Sequence, residues 1–307
     1  MKNKNTKTSV EQTKFQKLIH SENFVGYFFA FPFLIGFLFI MAVPMAMSLY
    51  YSFTDLTLGG TATFTGLDNV RRLLNDARFF NSIGVTIRFV VFSVPFRLAF
   101  GLFVAYILTR QVRGVAFYRS LYYLPTLIGG SIAVVLVWGQ LFAREGVVNV
   151  FLQILGLEGV HWFGQLQTAI IPIVLMSVWQ FGSSMIIFAA GLKEIPTSYY
   201  EAAEIDGANK WQVFYKITLP CLSPVILYNL LMQTIAGFMT FTQAFIMTGG
   251  GPADATNFIA LYIYNHAFAW RNMGYASLMS WVLLIMITFV TVIIFKTSKK
   301  WTFYAND

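Results

Sequence analysis

Cysteine, histidine and charge are all scarce in this chain of 307 residues. Its single cysteine, Cys221, excludes an intrachain disulfide and any cysteine-based zinc site, and three histidines are too few and too scattered for a metal cluster. Only 11% of the residues are charged, against 57% hydrophobic and 18% aromatic, which excludes a water-soluble globule. No Gly-x-x-x-x-Gly-Lys-Ser/Thr loop is present: Gly249, Gly250 and Gly251 run into Pro252 with no lysine, so nothing marks a site for nucleotide phosphates. No nucleophile, base or metal set clusters either. The sequence nominates no catalytic residue, no metal ligand and no cofactor for the chain itself.

What it has is apolar length. A helical crossing of a bilayer takes about 20 apolar residues, and six runs qualify, near residues 26–50, 84–109, 120–142, 167–191, 222–247 and 275–296. The expected fold class is an all-α polytopic membrane protein, with a transmembrane domain over 26–296 between tails at 1–25 and 297–307. A net charge of +8 reads as topology rather than as a nucleic-acid surface. Fourteen Lys and Arg fall in the tails and alternate loops and five in the other loops, which places both termini in the cytoplasm. The first run follows a lysine-rich stretch but is too long for a signal peptide, and reads as a retained span. Before it, Phe15, Leu18 and Ile19 alternate with Lys14 and Lys17 as in a helix on the inner leaflet, or in a polar tail. Two outer loops suggest short helices: one capped by Asp68, with Val70, Leu73 and Leu74 on its apolar face, the other after Gly146, with Val147, Val150, Phe151 and Ile154.

None of the six runs contains Asp or Glu, so the carboxylate relay of ion-coupled carriers is missing and energy for active transport must come from a partner. Arg88 sits near the outer interface, where its stem can snorkel. Arg97, just after Pro95, falls near mid-bilayer; it either faces a water-filled path or caps carbonyls freed by the proline. In the fifth run Asn229, Gln233, Thr240 and Gln243, with Ala236 among them, share about 80° of helical arc. That stripe fits interhelical packing or the wall of a solute path. Trp179, Gln180 and Gly182 form a second possible wall, and Tyr228, Phe238 and Phe241 offer flat faces to a sugar ring.

Between the fourth and fifth runs lies the most charged interior stretch, residues 196–220. Ser198 and Glu201 suit a capping box, Ala202 and Ala203 a closely docking helix, and Gly207 a left-handed turn. A second helix is expected from Asn209, with Trp211, Phe214 and Ile217 on one face, stopped by Pro220.

Glu201, Ala202, Ala203, Gly207, Ile217, Leu219 and Pro220 stand in the spacing of the EAA loop, and with them the chain resembles the permease subunits of binding-protein-dependent ABC importers. Phe64 with Gly66 to Asn69, Tyr122 to Pro125, Gly249 to Pro252 with Thr256, and Gly274 to Ala276 are similar to the carbohydrate, maltose-type branch. The resemblance implies a type I ABC importer permease fold and a role as half of the translocation path for a sugar or oligosaccharide. It also implies that the first EAA helix couples the chain to an ABC ATPase dimer, where ATP and Mg would be used. A second homologous permease and an extracellular or periplasmic solute-binding protein would complete the assembly in a bacterial cell membrane. An importer of a non-sugar solute or, against the missing carboxylates, a secondary carrier are the competing readings.

Overall fold

A computed structural model describes residues 22–109 and 114–303. Among them the regular elements are helices, and strand-like pairing is limited to two isolated bridges, Thr54–Phe64 and Thr57–Asn272, in the outer loops. Four continuous helices are long and apolar enough to cross a membrane: Gly26–Tyr51, Ala77–Leu108, Lys210–Met247 and Met273–Ser298. Two bent pairs, Val115–Ile128 with Ile132–Leu141 and Ile171–Trp179 with Gly182–Glu194, complete six spans when each pair is one crossing. The region before span one, including the expected interfacial helix over Phe15, Leu18 and Ile19, lies outside the described residues, as do Arg110 and Arg113.

The bends have local causes. Span three turns by 99° at Gly129, Gly130 and Ser131. The glycines end its first half, and the Ser131 hydroxyl accepts a hydrogen bond from the Val134 N–H to start the second. Span four turns by 41° at Gln180 and Phe181. Neither break was expected from the sequence, because the apolar run continues across both. Span five starts earlier than expected. Asn209 caps it with a true capping box to Gln212, a π-helical turn over Phe214–Thr218 follows, and Pro220 then occupies the first turn of the next α-helical stretch. Pro220 therefore does not stop the helix, since its missing N–H falls where the wide turn has already interrupted the ladder. The same turn rotates the faces: Trp211 and Phe214 share a side and line one hollow with Tyr106, as expected, while Ile217, beyond the wide turn, borders another with Ala202 and Ala203.

Spans two, four and five form the core, with Val85, Phe89, Met185, Phe188 and Leu222 all buried. They approach closely at glycines. A Cβ at Gly101 would press on Ser184, one at Gly191 on Val225 and one at Gly237 on Val90. Span one is exposed over its apolar length, and only its outer half, Val43–Tyr51, lies along span six.

A second cluster of buried residues closes the outer end. Residues 256–269, between the fifth and sixth apolar runs, hold a short helix Ile259–Tyr264 and a π-helical turn, with Phe258, Ile259, Leu261 and Tyr262 buried. The expected outer helices are present at Asp68–Leu74 and Val147–Ile154, each with a correction. Asp68 does not cap; it is the first helical residue and pairs with Arg71 at 3.6 Å. Of the first helix's apolar face only Leu73 is buried, and Leu74 is exposed. In the second helix the buried residue is Asn149, bonded to three carbonyls, the Val160 N–H and the Trp162 indole, so the apolar face turns outward. At the inner end the chain after span six folds back, and the Phe303 N–H donates to the Ser223 hydroxyl at 2.8 Å.

Candidate translocation cavity and coupling loop

A cavity of about 320 Å³ opens between spans two, four and five. Its wall includes Arg97, Gln180, Gln233, Ala236, Thr240 and Gln243 from the sequence analysis, together with Phe241. The stripe on span five is thus a cavity wall at these positions, although the helix is interrupted between Phe238 and Thr242 and Thr240 lies in the gap. Asn229 and Tyr228 are elsewhere. Asn229 is buried about one turn deeper than Gln233, its amide N–H₂ donating back to the Val225 carbonyl at 3.0 Å, and Tyr228 points outward at 51% exposure. Trp179 stacks on Trp138 of span three with ring centres 5.2 Å apart, away from the cavity. Phe238 is buried in the core and offers no face to a ligand, and Gly182 seats the fourth span against Tyr122 and Thr126.

Arg97 holds the break in span four. Its Nε and Nη2 donate to the Gln180 carbonyl oxygen at 3.1 and 2.7 Å. The freed carbonyl comes from that break and not from Pro95. The Thr126 hydroxyl donates to the same oxygen at 3.1 Å, and the Gln180 side chain reaches the Gly129 carbonyl at the bend of span three. Arg97 thus both caps a carbonyl and faces the cavity. Gln233 is aimed by its hydrogen bond to Ser184. Ser93, Ser177 and Thr242, which complete the polar lining, were missed from the sequence. Ser93 stands one helical turn before Arg97, and that i,i+4 spacing was the available signal.

At the inner end, the helix Thr197–Ile205 closes through a paired C-terminal motif: the Ala208 N–H donates to the Ala203 carbonyl at 2.9 Å and the Gly207 N–H to the Glu204 carbonyl at 3.1 Å. The turn needs φ of +72° at Gly207. Ser198 caps nothing; Pro196 is the N-terminal boundary. Ala203 is buried, while Glu201, Ala202 and Gly207 are exposed and Ile205 is 87% exposed. Beside this helix, Ala202, Ala203, Ile217, Pro220 and Phe303 border a hollow of about 610 Å³, and Leu219 is half-buried at the foot of span five. The Tyr200 and Thr218 hydroxyls, 3.3 Å apart, tie the helix to span five.

The outer end carries a polar cluster that the sequence did not disclose. Asp76 caps span two through the Phe79 N–H and accepts hydrogen bonds from the Tyr262 and Tyr275 hydroxyls at 2.8 and 2.7 Å. Burial pushes its carboxyl up, but those hydrogen bonds outweigh it and hold the group below the usual carboxylate range. Arg78 binds Asp254 through two 2.8 Å hydrogen bonds, and Arg72 lies over the Tyr275 ring at 4.2 Å. His266 is buried among Tyr262, Trp270 and Tyr275; burial, then the charge of Arg72, lowers its pKa to about 4.

This architecture has known counterparts. Residues 22–301 match the family model described as binding-protein-dependent transport system inner membrane component. The chain is 46% identical over 98% of its length to the probable ABC transporter permease protein YesP of Bacillus subtilis, covering 99% of that protein. It is 32% identical to the probable starch degradation products transport system permease protein AmyD of Thermoanaerobacterium thermosulfurigenes, over 89% of this chain and 93% of that one. A solved bacterial ABC transporter involved in import of the acidic polysaccharide alginate shares the fold, with a TM-score of 0.77 at 22% identity over 94% of this chain and 99% of its counterpart. With six apolar crossings, a cavity walled by three of them and a helix–glycine–helix loop at the inner end, the chain belongs to the binding-protein-dependent transport system inner membrane component family of ABC transporter permeases.

Proposed function

We propose that this chain forms half of the path by which an ATP-driven importer moves a sugar or oligosaccharide across a bacterial cell membrane. The observation that carries the reading is a connection. The helix Thr197–Ile205 and its glycine turn join span four directly to span five, and those two spans, with span two, wall the cavity. A push on the loop therefore reaches the cavity through two rigid helices, without a flexible linker between them.

In this reading the exposed side of the loop, with Glu201, Ala202 and Ile205, seats in an ABC ATPase, and Ala203, Gly207, Ile217, Leu219 and Pro220 set its shape. ATP and Mg act in the ATPase dimer. A second homologous permease supplies the facing wall, a solute-binding protein delivers the sugar to the outer face, and lipid covers the remaining apolar surface. Gln233, Thr240 and Gln243 offer hydroxyl and amide partners to sugar hydroxyls, and Phe241 offers a ring face. The similarity to the AmyD protein supports a sugar as cargo.

The test is uptake into proteoliposomes of the complete complex with ATP on the ATPase side, with a panel of neutral and acidic oligosaccharides competing for transport. ATP-dependent uptake of a sugar is the expected result. Uptake that persists without the ATPase contradicts the importer, and ATP-dependent uptake of non-sugars alone contradicts the cargo.

A further inference from the structure

The guanidinium of Arg97 is only partly used by the packing of the bundle. Arginine carries five N–H donors. Nε and one N–H of Nη2 serve the Gln180 carbonyl, and the other three have no hydrogen-bond partner among the described residues. Nor does that carbonyl need the arginine charge, since the Thr126 hydroxyl already donates to it.

The rest of the cavity leaves the charge uncompensated. Its other polar side chains, which include Ser93, Ser177, Gln180, Gln233, Thr240 and Gln243, are all neutral, and no Asp or Glu lines it. A charge at membrane depth is costly unless it meets water or an opposite charge. Planar guanidinium donors match a carboxylate in a two-pronged geometry, whereas a neutral sugar hydroxyl uses only one of them.

Resting on the sugar-importer reading above, we infer that Arg97 is a specificity-determining residue that receives the carboxylate of an acidic saccharide, a uronic-acid unit, in transit. Gln180 fixes the guanidinium from behind, its free donors face the cavity, and the neutral hydroxyl and amide groups bind the ring hydroxyls of the same unit. The second permease contributes the opposite wall, so selection by charge needs only this one residue on this side.

The experiment uses the full transporter, with its paired permease, ATPase and binding protein, in proteoliposomes loaded with ATP. The probes are a panel of uronic-acid disaccharides and their carboxyl-reduced neutral counterparts, and the readout is the ratio of uptake of each acidic probe to its counterpart. The same binding protein serves every variant, so its own preference cancels when variants are compared with wild type. Arg97→Gln is expected to lower the ratio about ten- to a hundredfold, the loss of a charge-assisted pair, and Arg97→Lys to retain part of it. Because Arg97 also braces span four, a second variant leaves it in place: Gln233→Glu sets a carboxylate in the same cavity to compete for the guanidinium, and is expected to lower the ratio too. A ratio unchanged in both Arg97→Gln and Gln233→Glu overturns the inference and leaves the sugar reading intact. So does a wild type that carries only the neutral probes, or an Arg97→Gln variant that slows both probes equally. A wild type that carries neither class of probe overturns the sugar reading itself.

Discussion

Replacing Gly207 tests whether the coupling loop works through backbone geometry. The residue holds φ at +72°, and a Cβ built there meets nothing within 4 Å. A substitution therefore costs strain and not collision. For an ordinary L-residue that strain is about 1–2 kcal/mol, enough to shift the balance between the closed turn and alternatives by roughly five- to thirtyfold. Opening the turn breaks the Ala208–Ala203 and Gly207–Glu204 hydrogen bonds and releases the end of the helix that presents Ile205. Asparagine visits this conformation, alanine resists it and valine resists it most. Stimulated ATP hydrolysis by the reconstituted complex should fall in the order Gly, Asn, Ala, Val, while membrane insertion stays normal, and Gly207→Asp, which also tolerates this conformation, should fall between asparagine and alanine. Wild-type coupling in Gly207→Val would refute the reasoning. So would an asparagine variant as impaired as valine, since that would make the missing side chain, and not φ, the requirement.

Three further outcomes follow from the same geometry. Ile205→Asp, at the most exposed large apolar residue of the helix, should abolish ATPase retention during purification without lowering the amount of permease in the membrane, as read by pull-down and immunoblot. Asp76→Ala removes the cap of span two and leaves two tyrosine hydroxyls without their acceptor, a loss of about 3–5 kcal/mol that thermal unfolding in detergent should register, with Asp76→Asn intermediate. His266 has its pKa lowered to about 4 from an ordinary 6.5, by burial first and by Arg72 next, so the unfolded chain binds the proton that the folded chain refuses. Stability should therefore fall as pH drops from about 6.5 towards 4, by up to about 1.4 kcal/mol per pH unit, and His266→Gln should flatten that slope in Tm measured across the window.

The spans were legible because apolar length is a local property, and Gly207 because its turn and the flanking alanines lie within a few residues. The bends at Gly129 and Gln180 were hidden by apolar runs that continue across them, although the Gly-Gly-Ser of span three carried the signal. The short buried segment around Ile259–Tyr264 was too brief to read as a span and too far from its partners to read as core. Asp76 meets Tyr262 and Tyr275 across most of the chain, which no periodicity reports. Helical arc placed Gln233, Ala236 and Gln243 on the cavity wall but could not tell that Asn229 lies too deep, because depth is set by the neighbouring spans.

The most direct measurement is purification of the tagged chain from its native membrane in mild detergent, with mass spectrometry of its partners in wild type and Gly207→Val. Recovery of a second six-span permease and an ABC ATPase with the wild type, and selective loss of the ATPase in the variant, is the predicted result. A wild-type chain recovered alone, under conditions that keep other membrane complexes whole, would contradict the account.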